Sequence, residues 1–212
     1  MPTVAFEKLS KIKKQKLTDD GLSAFSKLKY KKTNVFEITK ELGITRTAFY
    51  YYFTDKKDFY EYLLYSKRED FLKRHVYNQN SKIDIFDLLL ELFDYLASYK
   101  GTTEEGFFKD LFSNIDYIEQ NNLLAQIVSK DNIEAYTYIN GLEKFSMETK
   151  EEIFEFVILL FSFVFNSMLQ YYISDSLKED AKFVLKKKLK YLQNGIIKNE
   201  YRGDNIWERF KF

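Results

Sequence analysis

An all-α fold is predicted for this chain by three observations: its apolar residues recur at helical spacing, it has almost no proline, and its glycines mark no strand turns. Through most segments the apolar positions fall three and four apart. Phe86, Leu89, Leu90, Phe93, Leu96 and Ala97 are an example, a stripe along one helix face and not the alternation of a strand. Pro2 is the only proline, and the seven glycines are scattered over 212 residues, so no flexible linker is visible. With 45% apolar residues the chain can bury a real core, as one large domain or as a small head joined to a larger body.

Stripes and breakers place a first helix over 7–28, then short helices over 34–41 and 45–51. A longer helix is expected from 56 to about Asn78, followed by helices over 83–99, 104–115, 121–140, 149–174 and 177–198. Starts are marked by Thr33 with Glu37 nearby, by Thr45, by Asp55, and by Thr103 ahead of Glu104 and Glu105. Gly43, Gly101 and Gly141 stand where helices should stop. The tail from Tyr201 carries Trp207 and Phe210, and its role is not legible.

The absence of cysteine excludes disulfides, thiol nucleophiles and thiolate metal sites, and suits a cytoplasmic protein. The start of the chain shows no secretory signal. Phe154–Ile173 is membrane-like in length, but Glu155, Ser162, Asn166, Ser167 and Gln170 make it read as a helix covered by other helices. With a single histidine, His75, no His-rich metal site is available, and a polar surface or hinge role is expected there. The sequence has no HExxH pair and no glycine-rich phosphate loop, so no enzyme, metal or cofactor is expected. Charge is unevenly spread: residues 1–57 carry 13 Lys and Arg against 6 Asp and Glu, leaving the remainder net acidic. A basic head on an acidic body is the distribution expected when only the head approaches polyphosphate.

The informative stretch is Thr33–Lys57, two short amphipathic helices around a Leu42-Gly43-Ile44 break. Such helices are unstable alone and need a third. Leu22, Phe25 and Leu28 supply it, closing a small core over Val35, Ile38, Leu42, Ile44 and Phe49 in a helix-turn-helix arrangement. The second helix then enters the major groove by its first residues, with Thr45, Arg46, Thr47, Tyr50 and Tyr51 outward and Tyr52 inward. Arg46 is the candidate base reader, because a guanidinium pairs bidentately with guanine O6 and N7. Thr47 and Ala48 suit thymine methyls; Thr33, Lys56, Tyr50 and Tyr51 are expected on phosphates, which position without specifying.

Ile38, Leu42-Gly43-Ile44-Thr45, then Phe49-Tyr50-x-Tyr52-Phe53-x-x-Lys56 with Phe59 and Leu63, resembles the signature of TetR-family transcription regulators over about Leu17–Leu64. The resemblance implies a helix-turn-helix head (residues 1–54) and a helical effector-binding and dimerisation body (residues 55–212). It also implies a repressor of double-stranded operator DNA, released by a small molecule. Two departures stand out: Lys29 precedes Tyr30 where the family often has glycine, and Thr39 replaces a small alanine.

Beyond residue 64 the reading rests on pattern. The helices over 149–174 and 177–198 are expected to form a homodimer interface, the second through Leu185, Leu189, Leu192, Ile196 and Ile197. Aromatic residues of the body, with Phe93, Phe108, Phe112, Tyr117 and Tyr136 foremost, are candidates for an apolar or aromatic effector pocket, although rings at helical spacing equally make a core. Competing readings are a DNA-binding or partner-binding helical protein without effector, and a small-molecule carrier or enzyme, which would need a site the residues do not assemble.

Overall fold

The computed structural model describes residues 2–77, 83–114, 139–140, 149–174 and 176–194. The head comprises α1 (Val4–Glu7), α2 (Lys11–Leu28), α3 (Val35–Leu42) and α4 (Arg46–Tyr52). The connecting helix α5 (Lys56–Leu72) runs into a π-helical turn, Lys73–Tyr77, and the body follows as α6 (Ile85–Ala97), α7 (Glu105–Asn114), α8 (Lys150–Ile173) and α9 (Lys178–Asn194).

Three helices differ from the sequence reading by more than a few residues or in kind. The single helix expected over 7–28 is two, because Ser10 takes an extended backbone and accepts the Lys13 N–H, starting α2 afresh, while Thr3 caps α1. The helix expected to reach Asn78 loses its regular bonding after Leu72, where the π turn begins. Of the helix expected over 121–140, only Ile139 and Asn140 lie within the described residues, and they are extended, pairing in parallel with Ile83 and Asp84.

The head closes on a layer of rings and branched chains. Leu22, Phe25, Ile38, Phe49, Phe53, Phe59 and Leu63 are all at most 1% exposed, so α5 contributes Phe59 and Leu63 to the head before it enters the body. At the end of α2 the missing glycine leaves a trace: Lys29 adopts φ 63°, ψ 139° while its N–H bonds the Phe25 carbonyl. A side chain there costs about 1–3 kcal/mol. After the entropy that glycine adds to the unfolded chain, Lys29→Gly is expected to stabilise the protein by about 1 kcal/mol, read as a higher urea midpoint at unchanged slope.

Head and body meet where α2 ends against the start of α7. Ser26 Oγ accepts the Phe107 N–H at 3.2 Å, and the buried Asp110 carboxylate accepts the Tyr30 N–H at 2.8 Å. Gly106 makes this approach possible, since a Cβ there would lie 2.1 Å from the Ser26 carbonyl oxygen. Tyr60 of α5 packs on Phe107 in the same joint, with ring centroids 5.1 Å apart.

In the body, α6, α7 and α8 enclose Phe93, Phe107, Phe108, Phe112, Leu160, Val164 and Met168. The buried Tyr172 hydroxyl donates to the Leu96 carbonyl at 2.9 Å, tying α8 to α6. α9 is held to α6 by Lys178 and Lys182, which both reach Asp94. Burial alone would raise the Asp94 pKa; the bonds from the two lysines outweigh it and hold the carboxyl below its ordinary range.

Candidate nucleic-acid interface

Short-range chemistry builds the motif. Asn34 Oδ1 accepts the Glu37 N–H at 3.2 Å and the Glu37 carboxylate accepts the Asn34 N–H at 3.0 Å, a reciprocal cap that starts α3. The Asn34 N–H, and after it the Thr33 hydroxyl, hold the Glu37 carboxyl below the usual carboxylate range. Gly43 ends α3 at φ 63°, the left-handed turn that the break at 42–44 requires, and the Ile44 N–H closes on the Thr39 carbonyl at 3.1 Å. Thr45 then caps α4 by accepting the Ala48 N–H at 3.1 Å.

With Phe49 buried beneath it, α4 turns Thr45, Arg46, Thr47, Tyr50 and Tyr51 to solvent. Tyr52 is half-buried, its ring edge-on to Phe6 at 6.2 Å, in line with the inward orientation read for it. The opposite end of α4 is closed from an unanticipated quarter. Thr3 donates its N–H to the Tyr52 carbonyl at 3.0 Å and its hydroxyl to the Tyr51 carbonyl at 2.7 Å, while Phe6 is buried against Tyr52, Phe53 and Tyr62. These bonds satisfy carbonyls that a helix end otherwise leaves without partners. The only sequence signal was a threonine three residues before a phenylalanine, too short a pattern to separate from a loop.

Two expected phosphate contacts have other partners. Thr33 lies one residue ahead of the true cap and is 5% exposed, with its hydroxyl donating to Glu37 at 3.0 Å, so its side chain is turned into the protein. Lys56 is half-buried: Nζ donates to the Tyr30 carbonyl at 2.8 Å and the Thr33 carbonyl at 2.9 Å, and sits 4.4 Å from the Tyr30 ring centroid. The ammonium therefore clamps the strained loop between α2 and α3. Charge-assisted bonds of this kind are worth about 1.5–3 kcal/mol. Lys56→Met is thus expected to lower head stability by about 2 kcal/mol by thermal melting, a loss that a pure phosphate contact would not produce.

In the body, Phe93, Phe108 and Phe112 are buried among other rings: Phe108 stacks on Tyr99 at 4.4 Å, and Phe112 meets Phe165 at 5.1 Å and Tyr172 at 5.4 Å. Core packing accounts for all three. Tyr117 and Tyr136 lie outside the described residues, as do Gly141, Ile196, Ile197 and the tail with Trp207 and Phe210. An open groove of about 510 Å³ lies elsewhere, between the end of α8 and the start of α9, lined by Leu169, Gln170, Ile173, Ser174, Ser176, Asp180, Ala181 and Val184. His75 stands in the π turn, stacked on Phe71 with Nδ1 3.3 Å from Glu91, and no group of three or more His, Cys, Asp or Glu among the described residues is arranged to hold a metal.

The sequence profile of the bacterial regulatory proteins of the tetR family matches residues 17–63, and that of the tetracyclin repressor-like C-terminal domain matches residues 84–196. The chain belongs to the TetR family. It is a DNA-binding transcription regulator rather than an enzyme, and α3 and α4 are its helix-turn-helix. No curated protein matches it. Among solved structures of TetR-type regulators, the fatty acid degradation regulator FadR from Bacillus halodurans aligns with TM-score 0.58 at 18% identity, covering 87% of this chain and 100% of that one. FadR from Bacillus subtilis, in complex with stearoyl-CoA, gives 0.56 at 16%, with coverages of 87% and 100%. A tetR-family regulator from Streptomyces coelicolor gives 0.54 at 16%, with 88% and 85% covered. At these identities the likeness is one of TetR fold.

Proposed function

We propose that the chain is a dimeric cytoplasmic repressor that grips a palindromic operator through α4 of each subunit, and that a small apolar or aromatic effector bound in the body releases it. The observation that carries the DNA-reading half is the exposed Thr45-Arg46-Thr47 end of α4, held rigid by Gly43 and Phe49 beneath it. Arg46 is the base reader in this proposal, with Thr47 beside it and the hydroxyls of Tyr50 and Tyr51 on flanking phosphates.

Dimerisation is supported by what α8 and α9 leave uncovered. Only 33% of the most apolar window of α8 is buried within the subunit, although by length and composition this helix could cross a membrane. Leu177, just before α9, and Val184 and Tyr191 on it recur every seven residues and are exposed, with Val184 lining the groove. A second subunit, and not lipid, covers these faces in the proposed assembly, placing two heads about 34–36 Å apart on successive major grooves. The effector half is supported by the match of residues 84–196 to the tetracyclin repressor-like C-terminal domain and by the shared fold of a regulator solved with stearoyl-CoA. An effector that favours one body conformation shifts the heads by its difference in affinity between states, and not by tight binding alone.

Selection of bound fragments from random DNA, followed by fluorescence anisotropy, tests the reading. The expected product is an inverted repeat, for which Arg46→Ala loses about 1–3 kcal/mol of discrimination at one position of each half-site. Recovery of no sequence above background defeats the proposal. Unchanged operator affinity at saturating effector defeats its regulatory half alone.

A further inference from the structure

The surface of the groove between the end of α8 and the start of α9 is almost wholly apolar, with Leu169, Ile173, Ala181 and Val184 in its wall and Asp180 as its one charged lining residue. At about 510 Å³ it has room for large side chains. Folding of the subunit leaves it in water: Ile173 is 61% exposed. An apolar hollow of this size marks a place where something docks.

The chain carries a segment of matching chemistry. Residues 197–212 lie beyond the stretch that matches the family's C-terminal domain, so the family likeness assigns them no role. Within them Ile206, Trp207 and Phe210 stand three and four apart, the spacing with which a short helix fills an apolar groove. Arg209 and Lys211 flank Phe210 and suit the Asp180 carboxylate at the groove. The segment also starts from the right place. α9 ends at Asn194, and Gly195 follows, the residue type on which helices stop and chains turn. Val184 is ten residues back along α9 from Asn194, about 15 Å. Trp207 is thirteen residues beyond Asn194, a length of chain that spans about 20 Å as helix and about 43 Å extended. Either suffices for the return.

We propose that residues 206–210 dock in the groove of their own subunit, with Trp207 and Phe210 as the anchors and a basic neighbour of Phe210 at Asp180. The docked segment covers the inside of the groove and leaves Leu177 and Tyr191 to the second subunit, with Val184 between the two. None of this depends on the operator reading.

Trp207 is the only tryptophan, so the emission of the full chain reports its surroundings alone. The wild type is expected to emit at the short wavelength of a buried indole and to resist quenching by acrylamide. Ile173→Glu should shift the emission to the long wavelength of indole in water, at unchanged helical content by circular dichroism, while Ile173→Leu keeps the wild-type spectrum. Tyr191→Glu, outside the groove, should also keep it. Co-refolding Ile173→Glu chains from urea with excess Trp207→Phe chains, whose grooves are intact, should leave the emission at long wavelength. The proposal is overturned if the wild type already emits as indole in water, or if Ile173→Glu leaves the emission unmoved. A shift in Tyr191→Glu overturns it by placing Trp207 between subunits, and a return to short wavelength on co-refolding does so by placing the tail in the partner's groove.

Discussion

Gly106→Ala is expected to cost about 3 kcal/mol of stability and most of the operator affinity. The added Cβ would lie 2.1 Å from the Ser26 carbonyl and 2.8 Å from its carbonyl carbon, and backbone cannot step aside as a flexible side chain can. α2 and α7 must separate, losing the Ser26–Phe107 and Tyr30–Asp110 hydrogen bonds together, each worth about 1 kcal/mol or more. The head then no longer sits at a defined angle on the body, so the spacing of a pair of heads is lost. Ser26→Ala is the control, because it removes one acceptor without the clash and should cost about 1 kcal/mol. Urea unfolding and anisotropy read both effects; a wild-type midpoint for Gly106→Ala would mean that the two helices do not touch in solution.

Val184→Glu is expected to give a folded monomer whose operator affinity falls at least about 100-fold. Val184 is 38% exposed within the subunit and lines the groove between α8 and α9, so the subunit tolerates a carboxylate there. A two-fold pair would bury that charge twice without a partner, at a cost of several kcal/mol. Losing the second head removes the gain that linked binding provides, typically 10²–10⁴ in affinity. Analytical ultracentrifugation separates the outcomes, and an unchanged dimer would place the interface elsewhere.

Where a feature depends on neighbours in the chain, the sequence was enough to read it. Gly43 turns, Thr45 caps, and Phe49, Phe53 and Phe59 fall on the core side while Tyr50 and Tyr51 face out, as helical spacing requires. Thr33 and Asn34 are equally good caps by chemistry, and the choice between them was made by burial, which propensity does not report. The Lys56 clamp was hidden for a related reason: its acceptors are backbone carbonyls, which every residue possesses. Ser26 and Tyr30 find their partners about eighty residues away, a separation at which no periodicity speaks. Phe93, Phe108 and Phe112 show the limit in the other direction, since a ring that lines a pocket and one that fills a core have the same spacing.

The seating of Thr3 on the last carbonyls of α4 bears on how the protein should be handled. An affinity tag or fluorescent fusion spliced ahead of Thr3 loads directly onto the segment that closes the DNA-reading helix. Protein labelled at that terminus therefore reports weakened operator binding that belongs to the label. Attachment at the opposite terminus, or cleavage of the tag before measurement, keeps the two apart.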